Sequence, residues 1–155
     1  ICKAAGAEVI TSDSGTKEEF LTSLGADQVI DYTTTRFEDV LGDVDAVIDL
    51  VGGDVSYRSL KVLEPGGVIV SVPSGQKPGL RSAAAESGHR VADIIVDPYG
   101  PTLQALVDLW EEGLLKIEIA RTFDLTEVVA AHRFTESGSN PGKTVLTMAD
   151  DNEGA

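Results

Sequence analysis

The sequence has little cysteine, histidine and positive charge. Its 155 residues include one cysteine, Cys2, and two histidines, His89 and His132. An intrachain disulfide is therefore impossible, and we expect no metal site. Lysine and arginine total 12 against 26 acidic residues, a formal net charge of −14. That balance argues against nucleic acid and anionic membranes as partners, because both are recognised by clustered Lys and Arg.

Long apolar runs are also missing, since none approaches the roughly 20 residues that span a membrane. The hydrophobic content of 42% and the charged content of 25% are those of an ordinary globular protein. A single cysteine is typical of a reducing compartment, and we expect a cytoplasmic protein.

Helical and strand-like patterns alternate along the first third of the chain. "ICKAAG" is typical of a last helical turn, with Gly6 as the residue just past its end. A strand is predicted over Ala7–Ser12, and a helix follows in which Thr16 and Glu19 have capping-box spacing. "DQVIDY" predicts a short strand, and "RFEDVLGD" has the apolar spacing of a helix.

The remaining chain continues the alternation. "DAVIDLV" and "GVIVSV" are nearly all apolar, as in strands covered on both faces. The helix "DVSYRSLKVL" between them is predicted to start at Asp54 as N-cap and to stop at Pro65. A small-residue loop, "PSGQKPGLRSAAAESG", precedes the predicted strand "RVADIIV". After Pro101 an apolar stripe predicts a helix. "LTEVVAAHRF" predicts a shorter helix with Thr126 as a possible cap, and "GKTVLTM" predicts a final strand.

This alternation predicts a doubly wound α/β domain with a parallel Rossmann sheet. In the dinucleotide-binding version the strand order is 3-2-1-4-5-6, and the sequence supplies strand 2 onward. No G-x-G-x-x-G occurs, so we expect the first strand and its glycine-rich loop before Ile1. Strands 2 and 3 should then lack any pairing with strand 4. We assign residues 1–148 to a partial dinucleotide-binding domain and 149–155 to a polar tail.

Several segments carry a resemblance to one family, in family order from about residue 3 to residue 148: "KAAGAEVI", "FLTSLGADQVIDY", "DAVIDLVGG", "LKVLEPGGVIVSV", "LVDLWEEGLLKIEIARTFDLTEVVAAHRFTESG" and "NPGKTVL". The sequence resembles the later, cofactor-binding part of zinc-independent medium-chain dehydrogenases/reductases. These include quinone oxidoreductases and alkenal or enone reductases. The resemblance implies an NADP-dependent hydride transfer to a quinone or activated alkene. It also implies a fragment of roughly half an enzyme, without the domain that holds much of the substrate pocket.

The adenosine end of the cofactor is expected over the carboxyl ends of strands 2 and 3. In NADP-using relatives a Lys and a Tyr grip the 2′-phosphate, and Lys17 and Tyr32 match those places. Asp13 departs from that pattern, because an acid at this position binds the ribose diol in NAD enzymes. We nevertheless expect NADP rather than NAD, since Asp13 can accept hydrogen bonds from its own turn. The candidate residues at this end are Ser12, Asp13, Ser14, Thr16, Lys17 and Tyr32, with a capping role equally open for Thr16.

The nicotinamide end is expected beside the loops after strands 4 and 5 and beside the "NPGK" element. The candidate residues there are Val51, Gly52, Ser71, Val72, Pro73, Asn140 and Lys143. A tight turn is the alternative for the glycines, and a simple turn role is the alternative for Asn140. No catalytic acid is identified.

Two other functions stay open from the sequence. "LEPGGVIVSV" and "DAVIDL" also resemble strands of S-adenosylmethionine-dependent methyltransferases. The chain could alternatively be a non-catalytic dimerisation or scaffold fragment. The expected partners are a small electrophilic substrate and a second copy, paired through the final strand.

Overall fold

A computed structural model describes residues 1–72, 78–94, 99–138 and 140–148. Seven strands lie in these ranges: β1 (Ile10–Asp13), β2 (Gln28–Asp31), β3 (Val44–Asp49), β4 (Leu63–Ser71), β5 (Arg90–Asp93), β6 (Ile119–Asp124) and β7 (Lys143–Thr147). The α-helices of the same ranges are α1 (Glu18–Ser23), α2 (Asp54–Ser59), α3 (Leu80–Glu86), α4 (Gly100–Glu111) and α5 (Val128–Glu136). Short 3-10 turns cover Gly15–Lys17, Phe37–Asp39 and Leu125–Glu127. None of the described helices is long and apolar enough to cross a membrane.

The strands form three separate sheets, which are β1-β2, β3-β4-β5 and β6-β7. In the first sheet Gln28 N–H donates to Val9 O and Tyr32 N–H to Asp13 O, so the two strands run in the same direction. Pairing is parallel in the other two sheets. Within the described ranges β1-β2 and β3-β4-β5 share no strand pairing, which confirms the prediction for Rossmann strands 2 and 3 against strand 4.

The chain divides into two compact units. The central unit comprises Ser12–Gly15 and Ile30–Tyr99, and the terminal unit comprises Ile1–Thr11, Thr16–Val29 and the described residues from Gly100 onward.

The core of the central unit lies on one face of its sheet. The buried side chains that form it are Leu60, Leu63, Ile69, Leu80 and Ala84, from α2, β4 and α3. Ile69 and Ala84 are fully buried and Leu80 is 1% exposed. Burial of aliphatic side chains is the main stabilising contribution to such a core.

Three predictions for the segments from α2 to α3 of the central unit are wrong. Helix α3 lies within the segment predicted to be a loop, because burial of Leu80 compensates for a sequence of small residues without an apolar stripe. Pro65 lies inside β4 rather than at the end of a helix, since α2 stops at Ser59 and β4 begins at Leu63. The N-cap of α2 is Gly53, with φ +63°, and not Asp54.

The helix ends of the terminal unit follow local chemistry. Gly6 and Gly25 have φ of +84° and +102°. At the first of these ends Ala7 N–H donates to Cys2 O and Gly6 N–H to Lys3 O. This is the Schellman pattern, and it confirms the helix end predicted at Gly6.

The helix starts of this unit differ from prediction. The N-cap of α1 is Lys17 without a side-chain cap, and Thr16 lies in the 3-10 turn before it rather than at the start of the helix. Asp124, not Thr126, caps the last helical segment, because its Oδ1 accepts the Thr126 N–H at 2.9 Å while Glu127 completes the capping box. "RFEDVLGD", which belongs to the central unit, forms only the 3-10 turn and not a longer helix.

Candidate cofactor-binding site

Asp13 ends β1, and its carboxylate is turned into the following loop. Oδ1 accepts the Ser14 N–H at 2.7 Å and the Ser14 hydroxyl at 3.2 Å. A carboxylate held in this way satisfies a loop amide and is directed toward its own backbone. This geometry is expected of an Asp13 carboxylate that does not bind the 2′-position of a nucleotide.

Asp31 ends β2 and holds the neighbouring turn. Its Oδ1 accepts the Thr33 N–H at 2.8 Å and the Thr33 hydroxyl at 2.6 Å. These two bonds, followed by one from the Gly15 N–H, hold the pKa of Asp31 below its ordinary value. Sequence reasoning missed this residue, although Asp followed two residues later by Thr is a recognisable turn pattern.

Tyr32 is presented at the same strand end. Its side chain is 60% exposed, while its N–H donates to Asp13 O at 3.2 Å. Ser12, Asp13, Ser14 and Tyr32 therefore all lie at the carboxyl ends of β1 and β2, as the sequence predicted for them. Exposed aromatic and hydroxyl groups at this edge are suited to an adenosine phosphate.

The loop after β3 is organised by a buried carboxylate that sequence reasoning also missed. Asp49 is 3% exposed, and its Oδ1 accepts the N–H groups of Val51 and Gly52, both at 2.9 Å. Its Oδ2 accepts the Ser56 hydroxyl at 2.5 Å. Val51 is consequently exposed, at 72%, and Gly52 adopts φ +79°. The available signal was an Asp at the end of an apolar strand, three residues before a pair of glycines.

The ends of β3, β4 and β5 are aligned. Asp49 is in register with Ser71, and Ser71 with Asp93. Ser71 is buried, and Val72 N–H donates to Asp49 O at 3.0 Å. Val51, Gly52, Ser71 and Val72 thus share this edge of the central sheet, whereas Pro73 lies outside the described residues. Carboxyl ends of parallel strands are where ligands of open α/β sheets bind.

Four of the predicted residues belong to the terminal unit. Thr16 and Lys17 lie in the 3-10 turn before α1. Asn140 donates through Nδ2 to the Ser137 hydroxyl at 3.2 Å, and Lys143 N–H donates to Glu118 O at 2.8 Å. Asn140 and Lys143, but not Thr16 or Lys17, line a cavity of about 180 Å³, together with Ala120, Phe134, Thr135, Gly142 and Thr144.

No group of three or more His, Cys, Asp or Glu side chains is arranged to hold a metal ion among the residues that the structure describes. The expectation of a zinc-independent chain stays a prediction.

Comparison with known proteins places these features in a family. Residues 24–146 match the sequence model of the zinc-binding dehydrogenases. The 2-methylene-furan-3-one reductase of Solanum lycopersicum is 35% identical over 144 residues, which cover 91% of this chain and 34% of that protein. The chloroplastic NADPH-dependent alkenal/one oxidoreductase of Arabidopsis thaliana is 29% identical over 144 residues, which again cover 91% of this chain and 34% of that protein.

A solved structure is similar over nearly the whole chain. The quinone oxidoreductase from Coxiella burnetii superposes with a TM-score of 0.82 and is 39% identical, over 93% of this chain and 46% of that one. The chain thus spans between about a third and a half of the length of these relatives. This similarity decides against the methyltransferase alternative. The chain belongs to the zinc-binding dehydrogenase family, within the medium-chain dehydrogenases/reductases.

Proposed function

We propose that the protein carrying this chain is an NADPH-dependent oxidoreductase. It transfers hydride to a quinone or to the β-carbon of an enone or enal. Family membership supports the nicotinamide cofactor, and the NADPH dependence of the Arabidopsis relative supports NADPH. The nicotinamide supplies the hydride, while the protein binds and orients the two reactants.

The observation that carries the choice of NADPH is the orientation of Asp13. Its Oδ1 is engaged by the N–H and hydroxyl of Ser14. A carboxylate engaged in this way repels a nearby phosphate less than a carboxylate that points toward the phosphate. Water screens the repulsion that remains. The donors proposed for the 2′-phosphate are Lys17 and Tyr32, whose ammonium and hydroxyl groups suit a phosphate. The Ser14 hydroxyl is proposed to join them by turning from Asp13 Oδ1 to the phosphate, while the Ser14 N–H keeps its bond to Asp13.

The site residues given by the sequence have distinct proposed roles. Ser12, Thr16 and the three donors bind the adenosine end, and the strand-end residues of the central sheet border the nicotinamide end together with Asn140 and Lys143. We also propose a cytoplasmic homodimer paired through β7, acting on a small electrophile.

The test compares kcat/KM for NADPH and NADH in the purified protein that carries this chain, with p-benzoquinone and but-3-en-2-one as acceptors. Wild type should prefer NADPH, and Lys17→Ala should reduce that preference about tenfold or more, since 1.4 kcal/mol is a factor of ten. The exposed Lys61→Ala is the matched control and should leave the preference unchanged. The cofactor assignment is wrong if wild type prefers NADH, Asp13→Ala weakens NADH binding and Lys17→Ala changes nothing.

A further inference from the structure

The contact between the loop after β1 and the end of β2 is unusually close. A Cβ built on Gly15 would lie 2.6 Å from Asp31 Oδ2 and 3.1 Å from Asp31 Cγ. Real Cβ atoms are not found at the shorter of these distances from an oxygen, so only glycine fits while the carboxylate stays in place. The Gly15 N–H faces the same carboxylate and contributes, after the two groups of Thr33, to lowering the pKa of Asp31.

The Asp31 side chain is not able to swing away without cost. Its other oxygen is held by the N–H and hydroxyl of Thr33, at 2.8 and 2.6 Å. Rotation that made room beside Gly15 would break both bonds, and bonds to a charged acceptor are the stronger ones in proteins. The carboxylate therefore ties two segments that are 16 residues apart in the sequence.

Groups proposed to bind the 2′-phosphate lie on both sides of this tie between Gly15 and Asp31. Ser14 precedes Gly15, and Tyr32 follows Asp31. Tyr32 N–H also donates to Asp13 O at 3.2 Å, so the strand ends are joined at two points. All of these residues belong to the central unit.

We propose that Asp31 is a positioning residue for cofactor specificity. It holds the Ser14–Gly15 backbone against the end of β2 so that Ser14 and Tyr32 are placed together before the nucleotide binds. Asp31 itself does not contact the phosphate, because a carboxylate repels a phosphate and its Oδ1 is held by the N–H and hydroxyl of Thr33. Binding then requires less ordering of the loop, which favours affinity. This inference rests on the proposed use of NADPH.

One backbone amide beside the tie is used by a carboxylate, since the Ser14 N–H donates to Asp13 Oδ1 at 2.7 Å. That amide does not contribute to anion binding while this bond is kept. We therefore expect truncation of the side chains proposed for the 2′-phosphate to have large effects.

The experiment measures binding of adenosine 2′,5′-bisphosphate and of 5′-AMP to the purified protein by calorimetry. Their affinity ratio isolates the 2′-phosphate. The variants are Asp31→Ala, Gly15→Ala and the double substitution, with Asp45→Asn as control because Asp45 is an exposed acid of the same unit. We expect Asp31→Ala to lower the ratio about tenfold, equivalent to about 1.4 kcal/mol. Asp45→Asn should leave the ratio unchanged.

The double substitution tests the contact itself. Gly15→Ala should lower both the ratio and the unfolding temperature, and Asp31→Ala should remove most of that additional effect, because the new methyl group then has space. If the two changes are additive in both measurements, the tie does not exist. If they are coupled in unfolding temperature while the ratio stays at its wild-type value, Asp31 is only structural and the inference is overturned.

Failure of the proposed function gives a different result. Wild type would then bind the bisphosphate no better than 5′-AMP. An increase of the ratio in Asp31→Ala would also overturn the inference, because it would show that the carboxylate repels the phosphate rather than positioning its donors.

Discussion

Replacing Asp49 by alanine should destabilise the central unit more than any other single change in the loop after β3. The carboxylate accepts three hydrogen bonds, from the N–H groups of Val51 and Gly52 and from the Ser56 hydroxyl, at 2.9, 2.9 and 2.5 Å. Bonds to a charged group contribute about 1.5–3 kcal/mol each, so the gross loss is about 4.5–9 kcal/mol.

Two effects reduce that figure. The amides of Val51 and Gly52 lie in a loop where Val51 is 72% exposed, so water can replace part of what they lose. Removal of a carboxylate that is only 3% exposed also removes its cost of desolvation. We therefore expect Asp49→Ala to lower the free energy of unfolding by about 2–4 kcal/mol.

Asp49→Asn is the matched control. Its Oδ1 can still accept both amides, and its Nδ2 can donate to the Ser56 hydroxyl, which is able to accept. The expected loss is about 1 kcal/mol, the difference between charged and neutral acceptors. Urea unfolding should show a shifted midpoint at unchanged slope. The reasoning is refuted if the alanine and asparagine variants are equally destabilised, or if alanine costs no more than about 0.5 kcal/mol, the usual limit for an unremarkable surface change.

Three further predictions concern stability. Leu80→Ala should cost about 3 kcal/mol in urea unfolding, since three carbons at about 0.8 kcal/mol each are lost and a cavity is left; a cost below about 1 kcal/mol would mean that α3 is not packed as described. The hydrogen bond from Arg58, and to a smaller extent the one from Arg36, holds the pKa of the Glu38 carboxyl well below its ordinary value of 4.5. The stabilisation from these ion pairs is therefore present above pH 4.5 and lost as the pH falls below it. The urea midpoint of Glu38→Gln should accordingly vary less between pH 3.5 and 7 than that of wild type. An equal change of the midpoint with pH in both proteins would contradict the ion pair. Gly142→Ala should cost more than Gly113→Ala, because both positions have positive φ but only the first places its new Cβ 2.7 Å from a backbone oxygen; equal unfolding temperatures would count against this geometry.

Local signals predicted much of the fold. Gly6 ends a helical turn as predicted, because the left-handed conformation at a helix end is a local property of glycine. The apolar runs around Val47 and Ile69 predicted β3 and β4, since strands of a parallel sheet are recognised by composition alone. The order of the elements also predicted which strands would lack pairing.

The errors came where packing outweighs composition. "RSAAAESG" has no apolar stripe, yet it forms most of α3 because Leu80 and Ala84 are buried beside Ile69. The apolar stripe after Pro101 correctly predicted α4, yet Leu103 and Trp110 within it are 64% and 54% exposed. A stripe indicates that a helix is amphipathic and does not say what covers it.

The sequence by itself determined the family, the strand order and the residues at the strand ends, because each of these follows from composition, local turn chemistry or motif order. The bonds of Asp13 to Ser14, of Asp31 to Thr33 and of Asp49 to Val51 and Gly52 are also local turn chemistry. Tertiary structure alone decided two longer contacts, which join Asp49 to Ser56, seven residues away, and Asp31 to Gly15, sixteen residues away. The first exists only when α2 packs beside the end of β3, and the second only when β1 and β2 have brought their carboxyl ends to one edge, so no local pattern in the sequence encodes them.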